Sequence, residues 1–242
     1  MKTTITNPAF FDPFVPARNP LGRCYLNACT HVVRWWWHLH LESPQATKRA
    51  FDIVVSAAFL LLASPLLAVI ALLVKLEDGG PVFFHQARVG RFGQLFKMYK
   101  FRSMCPDAEA RLKEVLDRNQ HSEGVTFKLK DDPRLTRVGK WLRRLSLDEF
   151  PQFYNVLRGD MSVVGPRPPV PREVARYSLA DRRRLAIKPG LTRLWQVAGR
   201  SEIDFSGQVR LDVEYIETQG LWADVKILLR TVPAVVSGRG AC

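Results

Sequence analysis

The stretch that decides the fold is residues 53–74, which read IVVSAAFLLLASPLLAVIALLV and contain no charged side chain. About 20 consecutive apolar residues are enough for a helix to cross the hydrocarbon core of a bilayer. The alternative is a helix buried in a protein core, which is less common at this length and uniformity. The segment therefore predicts a membrane-embedded helix.

The middle and the flanks of this segment argue against a simple span. Pro65, preceded by Ser64, removes a backbone donor and clashes with the preceding turn, so we expect the helix to kink or break there. Each half then extends about 14–16 Å, roughly half the hydrocarbon thickness. Lys48 and Arg49 precede the segment and Lys75 follows it, and basic flanks face the cytoplasm. The pattern favours a re-entrant helix hairpin over a kinked span.

Charge is distributed unevenly along the chain. The net charge is +13, and residues 79–242, with 29 Lys and Arg against 18 Asp and Glu, account for +11 of it. An apolar content of 47% excludes a disordered chain. The basic excess requires an anionic partner, which is nucleic acid, an anionic membrane surface or a phosphorylated substrate. We therefore divide the chain into an N-terminal extension (1–47), a re-entrant membrane helix (48–78) and one cytosolic domain (79–242).

Periodicity and turn signals outline the elements. Short strands are predicted at 81–84 and 93–99. Helices are predicted at 137–145, 150–157, 172–184, 204–219 and 222–235, and the last two are amphipathic. Such a helix either covers a core or lies on a membrane. The predicted fold class is α+β, mainly helical: a re-entrant helix hairpin broken at Ser64-Pro65, then a small cytosolic domain with amphipathic interfacial helices.

Two adjacent carboxylates follow in Ser146-Leu147-Asp148-Glu149. The spacing S-x-x-E is a capping box, so one interpretation is simply a helix start. The other is chemical. Carboxylates at a helix N-terminus have lowered pKa values. Such a pair can bind Mg²⁺ together with substrate phosphates, and a carboxylate can attack a phosphorus atom.

Three short strings contain cations, and in two of them the cations lie close to glycine and proline. They are Lys100-Phe101-Arg102-Ser103-Met104, Gly165-Pro166-Arg167-Pro168-Pro169 and KPGLTRLWQVAGR at 188–200. A rigidly held arginine suits bidentate contact with phosphate. Singly, each string is an ordinary turn or a solvated charge. Together with the carboxylate pair and the apolar segment, they predict phosphoryl transfer at a membrane surface.

Longer strings carry a family resemblance. They are KRAFDIVVS (48–56), SPLL (64–67), PVFFHQARVGRFGQLFKMYKFRSM (81–104), LRRLSLDEFPQFYNVLRGDMSVVGPRP (142–168) and KPGLTRLWQVAGR (188–200). On these strings the sequence resembles the bacterial sugar transferases, the monotopic polyprenyl-phosphate phosphoglycosyl transferases, which include undecaprenyl-phosphate hexose-1-phosphate transferases. The resemblance covers residues 48–236.

The resemblance implies an activity. The family transfers a sugar 1-phosphate from a UDP-sugar to polyprenyl (undecaprenyl) phosphate and releases UMP, which begins exopolysaccharide, O-antigen or glycan synthesis. The catalytic domain is then expected on the cytoplasmic face of the bacterial inner membrane, in contact with anionic lipids. Asp148 corresponds to the nucleophile, which forms a covalent phosphosugar intermediate and contacts Mg²⁺. Glu149 corresponds to the residue that positions the metal or the acceptor. A homodimer is left open.

The resemblance also assigns other residues. Ser64-Pro65 matches the break in the re-entrant helix, and Lys48 and Arg49 match its headgroup anchor. The expected phosphate and nucleotide contacts are Lys100, Arg102, Arg143, Arg167 and Arg200. Arg193 departs from the pattern, because the family commonly has glycine at this place in the string P-G-x-T-G. The sugar or uridine contacts of that string are therefore not carried over, and L-W-Q-V-x-G-R only leans toward hexose 1-phosphate donors.

Two other classes of protein compete with this interpretation. A nucleic-acid-binding protein would explain a charge of +13 with interleaved aromatic residues. The apolar segment and the lack of a recognition-helix or RNP-like motif argue against it, so no nucleic-acid partner is expected. A non-catalytic membrane scaffold of the same fold is the second alternative, and the intact Asp148-Glu149 pair argues against that one.

Overall fold

The computed structural model describes residues 20–108, 110–111, 132–198 and 203–236, with side chains from residue 45 to residue 233. Contacts divide the chain into two units, Met1–Thr47 and Lys48–Cys242. The first helix, α1 (Pro20–Asp78), includes the boundary between them. The predicted Arg200 contact lies outside the described residues.

The apolar segment forms part of α1. Among the described residues, one helical stretch, Gln45–Asp78, is long and apolar enough to cross a membrane by length and composition. Of the 18 most apolar consecutive residues in this stretch, only 11% are buried within the protein. Leu61 and Leu62, next to the proline, are 75% and 80% exposed. An apolar surface of this size requires a cover, which agrees with the prediction of a membrane-embedded helix.

At Ser64-Pro65 the structure differs from the predicted break. Helix α1 is continuous through the proline. Pro65 has no N–H to donate to the carbonyl of Leu61, its partner four residues earlier. The Ser64 hydroxyl donates to that carbonyl instead, at 2.8 Å. This side-chain bond satisfies the freed acceptor, which is how helices in lipid tolerate proline.

An antiparallel hairpin follows α1. Strands β1 (Phe83–Val89) and β2 (Leu95–Phe101) pair along their whole length, with Phe83 opposite Phe101. A 3₁₀ turn, Arg91–Gly93, joins them, and Gly93 adopts a φ of +82°. The two predicted strands are confirmed with different bounds: β1 begins two residues later than predicted and ends five residues later, and β2 is shifted by two residues at both ends.

A second, parallel pair of short strands lies deeper in the protein. Strands β3 (Ser162–Val164) and β4 (Gly190–Thr192) pair with Val164 opposite Thr192. A Cβ at Gly190 would lie 2.0 Å from the backbone nitrogen of Gly165. Both positions therefore require glycine, since no side chain fits between the two backbones. This crossing brings the GPRPP and KPGLT strings together.

Short helices complete the fold. They are α2 (Arg137–Arg144), α3 (Gln152–Arg158), α4 (Pro171–Val174), α5 (Leu194–Ala198), α6 (Phe205–Thr218) and α7 (Leu221–Val236). The predicted helix at 172–184 is wrong. Helix α4 ends after one turn, and a 3₁₀ turn, Asp181–Leu185, follows later. Both the N–H and the hydroxyl of Ser178 donate to the Asp181 carboxylate, and such local bonds compete with the helix.

The N-terminal end of the apolar segment is fixed to the body of the protein by polar contacts. Lys48 donates to the buried Asp224 at 2.5 Å. Arg49 donates to the carbonyls of Val156 and Leu157, which end α3. Asp52 is buried and accepts from Ser162 and from the Val163 N–H, both at 3.0 Å. We call these three side chains the entry junction.

The C-terminal end of the segment is fixed to the same body. Glu77 accepts from the N–H groups of Arg137 and Val138, which begin α2. Asp78 pairs with both terminal nitrogens of Arg102. We call Glu77 and Asp78 the exit junction. Both ends of the apolar stretch therefore contact one folded unit, and Leu61 and Leu62 between them are the most exposed.

Candidate active site

The carboxylate pair lies in a tight turn between α2 and α3. Residues Leu147–Glu149 form a 3₁₀ turn, and Ser146 before it adopts a left-handed φ of +55°. The Ser146 side chain makes no capping bond, so the capping box is not formed. The strained serine backbone turns the chain so that Asp148 is only 6% exposed. The carboxylates therefore lie in a 3₁₀ turn that follows a left-handed residue, and not at the start of a capped α-helix.

Lys100 of β2 faces both carboxylates. Its Nζ lies 2.7 Å from Oε1 of Glu149 and 3.9 Å from Oδ2 of Asp148. The buried Asn155 of α3 fixes this geometry. Its side chain accepts from the Tyr99 N–H at 2.9 Å and donates to the Lys97 carbonyl at 2.7 Å. Since α3 follows the carboxylate turn, Asn155 ties the turn to the strand that carries Lys100.

The two carboxyl groups have different pKa values. Burial, together with the neighbouring Glu149 charge, raises the pKa of Asp148 to about 6, although Lys100 and Arg143 oppose this rise. Burial also acts to raise the pKa of Glu149, but Lys100 and Arg193 outweigh it and lower that pKa to about 2. The prediction of a lowered pKa is confirmed for Glu149 and wrong for Asp148, because a 3₁₀ turn inside the protein desolvates the carboxylate. The pair has one permanently charged member and one that titrates near neutrality.

A cavity of about 390 Å³ opens next to Asp148. Among the described residues, seven cationic and three acidic side chains line it. The cations are Arg88, Lys100, Arg102, Arg134, Arg143, Arg167 and Arg172, and the acids are Asp132, Asp148 and Glu173. We call it the charged cavity. Its excess of positive charge favours anions with several negative oxygens.

Three of the expected phosphate contacts meet in this cavity. Lys100 lies on β2, Arg143 at the end of α2 and Arg167 just beyond β3. Arg143 donates to the Ser103 hydroxyl at 3.2 Å. Arg167 lies 3.7 Å from Glu173. The tertiary structure therefore brings together cations that are up to 67 positions apart in the sequence.

The other expected contacts have different surroundings. Arg102 also borders the charged cavity, but its guanidinium donates to Asp78 and to the Pro81 carbonyl. It therefore fixes the exit junction. Lys48 and Arg49 belong to the entry junction, and Ser64-Pro65 lies on the exposed part of α1. Contact of Lys48 and Arg49 with lipid headgroups stays a prediction.

Sequence reasoning missed Arg88. Its NH1 donates to the Pro168 carbonyl at 2.9 Å, and its Nε has no hydrogen-bond partner among the described residues. Burial and the nearby Arg167 lower its pKa to about 10. Strand alternation in the sequence could have identified Arg88, because Phe84, Gln86 and Arg88 occupy the same face of β1 and line the charged cavity. Gln86 and Arg88 are polar side chains on the less exposed face of β1, which indicates a site.

Arg193, noted in the sequence only as a departure, also contributes to the site. It follows β4 directly, as Gly165-Pro166-Arg167 follows β3, and the carboxyl ends of parallel strands meet at one edge. Its guanidinium lies 4.8 Å from the Trp195 ring centroid and donates to Gln196 at 2.9 Å. Its charge is among the causes that lower the pKa of Glu149. The glycine-to-arginine departure therefore adds a cation beside the carboxylate pair.

The expected Mg²⁺ is compatible with the residues present. Mg²⁺ is commonly held by one or two carboxylates plus substrate phosphates, rather than by a cage of protein ligands. The described residues contain no cluster of three or more His, Cys, Asp or Glu side chains that could hold a metal. Asp148 lines the charged cavity, and Glu149, which shares Lys100 with it, supplies a second carboxylate close by. This donor set fits Mg²⁺ only when phosphate oxygens complete the coordination.

The chain thus combines a helix apolar enough to cross a membrane with a carboxylate pair and a cavity rich in cations. The family model described as bacterial sugar transferase matches residues 43–238. The chain therefore belongs to the bacterial sugar transferase family.

Individual relatives agree with this family. A galactosyl transferase of Streptococcus agalactiae is 46% identical over 88% of this chain and 46% of its own length. An undecaprenyl-phosphate galactose phosphotransferase of Salmonella typhimurium is 45% identical over 84% of this chain and 43% of its own length. An exopolysaccharide production protein of Rhizobium meliloti is 45% identical, with 80% of this chain and 87% of that protein covered. The chain spans less than half the length of the first two.

Proposed function

We propose that this protein transfers a sugar 1-phosphate from a UDP-sugar to undecaprenyl phosphate and releases UMP. The observation that carries the proposal is Asp148: a buried carboxylate 3.9 Å from Lys100, at the wall of a cavity with excess positive charge. Two anionic substrates must approach each other in this reaction, and fixed cations offset their repulsion. The names of relatives, which include an undecaprenyl-phosphate galactose phosphotransferase and an undecaprenyl-phosphate glucose phosphotransferase, support the same substrates.

In the first step, an Asp148 carboxylate oxygen attacks the phosphorus that bears the sugar. A bond forms between that oxygen and phosphorus, and the bond from phosphorus to the UMP oxygen breaks. UMP leaves with the electron pair, and the sugar phosphate stays on Asp148. Lys100 and Arg143 reduce the negative charge around the attacking carboxylate, and Arg88 and Arg167 face the phosphates. A bound Mg²⁺ would supply charge neutralisation between Asp148, Glu149 and the phosphate oxygens.

In the second step, a phosphate oxygen of the lipid attacks the same phosphorus. The bond from phosphorus to Asp148 breaks, the carboxylate is regenerated and the product is a lipid-linked sugar diphosphate. Lys100 and Arg193 keep Glu149 ionised. Glu149 is therefore suited to orient Lys100 and Arg193 during both steps of the reaction. Two steps allow one cavity to serve both substrates in turn.

We also propose that α1 enters and leaves the membrane on the side of the charged cavity. Support comes from the two junctions, since the entry junction and the exit junction both contact the folded unit that carries Asp148. A helix that crossed fully would place one of these ends on the far side. In a bacterial inner membrane, the basic surface of the unit then faces the cytoplasm. Labelling of single cysteines near residue 20 and at Cys242 in intact cells tests this topology, and opposite accessibility would contradict it.

The decisive experiment is the Asp148→Asn variant with a UDP-sugar, undecaprenyl phosphate and Mg²⁺. We expect UMP release to fall by at least about a thousandfold, because the amide is a poor nucleophile. Asp181→Asn is the matched control, since Asp181 contacts only the local turn at Ser178. Circular dichroism should be the same for both variants. UMP release by Asp148→Asn at the wild-type rate would exclude the proposed nucleophile.

Exchange of labelled UMP into UDP-sugar without any lipid acceptor tests the covalent intermediate. The two-step route predicts exchange by the wild-type protein and none by Asp148→Asn. A direct, single-step transfer predicts no exchange in either. A donor screen with UDP-glucose, UDP-galactose and UDP-amino sugars in this same assay identifies the sugar.

A further inference from the structure

A second cavity lies against the same hairpin and has the opposite chemistry. Its volume is about 570 Å³, and its walls come from α1, the hairpin and α3. Leu60, Leu67 and Ala71 line it from α1, while Tyr99 and Tyr154 line it from the other two elements. None of its lining residues is charged. We call it the apolar cavity, and the transfer mechanism derived above gives it no role.

Strand alternation places the two cavities on either side of β2. Lys100 lines the charged cavity together with Asp148, whereas its neighbours Tyr99 and Phe101 line the apolar cavity. Phe83 and Phe101 line both cavities. Their rings are stacked, with centroids 5.4 Å apart. The stacked rings of Phe83 and Phe101 therefore lie between the charged cavity and the apolar cavity.

The apolar cavity borders the part of α1 that we place in the membrane. Leu60 precedes Pro65 in α1, and Leu67, Ala68 and Ala71 follow it. Leu66, Val69 and Leu72, on the outer side, are 45–57% exposed. Ala68, which lines the cavity, is itself exposed. A molecule in the surrounding lipid can therefore reach the cavity without crossing polar surface.

We propose that the apolar cavity binds the isoprenoid units nearest the phosphate of the lipid acceptor, while that phosphate lies in the charged cavity beyond Phe83 and Phe101. This inference rests on the proposed function. The occupant must be amphipathic, with an anionic head directly joined to an apolar chain, because the two spaces share one wall. A nucleotide sugar has no apolar part. Aromatic side chains supply broad apolar contact for such a chain.

Filling the cavity tests the inference. Ala68→Phe adds an aromatic ring from an exposed position, so the fold tolerates it. We expect the KM for undecaprenyl phosphate to rise about tenfold, the effect of blocking a well-fitted apolar site. UMP exchange into UDP-sugar, which needs no lipid, should stay unchanged. Ala58→Phe is the matched control, because Ala58 is an exposed alanine of the same helix outside the cavity.

The outcomes separate this inference from the proposed function. Absence of exchange in the wild-type protein would overturn the proposed function itself. Normal exchange, with the same lipid KM in Ala68→Phe and Ala58→Phe, would overturn only the inference. A fall in exchange in Ala68→Phe would also overturn it, since the cavity would then serve the donor.

Photolabelling identifies the occupant. Undecaprenyl phosphate with a diazirine on its first isoprene unit should label the peptide that contains Tyr154, in nanodiscs of phosphatidylglycerol. Labelling should fall in Ala68→Phe and persist in Ala58→Phe. Equal labelling by a phospholipid with a diazirine in its acyl chain would show a general lipid contact and contradict a site for the acceptor.

Discussion

Cations in two regions of the molecule have contrasting surroundings. At the junctions of α1, Lys48 pairs with Asp224, Arg49 with two carbonyls and Arg102 with Asp78. Around the charged cavity, seven cations, one of which is Arg102 itself, face three acidic side chains, and Arg88 retains an unpartnered nitrogen among the described residues. Some of these cations are paired, Arg134 with Asp132 and Lys100 with Glu149. The junction cations are therefore matched by partners within the protein, whereas the cavity keeps an excess of positive charge that an entering anion would neutralise.

The cationic side chains at the junctions therefore contribute to stability, whereas those around the charged cavity contribute to function. A matched buried pair fixes geometry, and the loss of one partner leaves a charge uncompensated. An unmatched cluster costs folding energy through desolvation and mutual repulsion, and the lowered pKa of Arg88 reflects both, burial first and the Arg167 charge second. Such a cost is typical of binding sites. Substitutions in the two regions should therefore alter different measurements.

Lys100→Met should have the largest effect on catalysis. It removes the cation that contacts both carboxylates, so we expect kcat for UMP release to fall by about 100-fold or more. The melting temperature should fall only modestly, because Glu149 loses its ion pair with Lys100 but is partly exposed to solvent. Lys97→Met, an exposed lysine of the same strand, is the control. A large loss of stability with normal kcat would assign Lys100 to the junction type.

Lys48→Met should give the opposite result. It leaves the fully buried Asp224 with Tyr215 as its remaining side-chain partner, so we expect a loss of about 2–3 kcal/mol in the free energy of unfolding. Thermal melting in detergent measures it, with the exposed Lys140→Met as control. Below the melting transition, kcat should remain near the wild-type value. An unchanged melting temperature would show that the entry junction does not stabilise the fold.

The pH dependence should give the smallest of the three effects. Attack requires ionised Asp148, whose pKa is raised to about 6. The rate of UMP exchange should therefore be nearly constant above pH 7 and fall about tenfold per unit below pH 6. Lys100 lowers the pKa of Asp148, so Lys100→Met should shift this acid limb to higher pH. An acid limb near pH 4 would show that Asp148 is well solvated and contradict the burial argument.

Much of the fold follows from local sequence. The apolar run predicted the membrane-type helix, since that signal needs only composition and length. The helices near 137–145, 204–219 and 222–235 and the hairpin after Pro81 are confirmed, because periodicity and turn residues are local properties. The helix at 172–184 was wrong, because the bonds of Ser178 and Asp181 stop it. The continuity of α1 was missed, because the pattern of Pro65 does not reveal that the Ser64 hydroxyl donates to the carbonyl that the proline leaves free.

The sequence by itself determined the chemical inventory: an apolar segment, the Asp148-Glu149 pair, and cations set beside glycine and proline. Only the tertiary structure decided which cations face the pair, since Lys100 contacts carboxylates that lie 48 and 49 positions away in the sequence. It placed Arg88 and Arg193 at the site and assigned Arg102 to a junction. It also raised the pKa of Asp148, because desolvation depends on what packs around a group. Finally, it placed the charged and apolar cavities on opposite sides of β2, where Phe83 and Phe101 separate them.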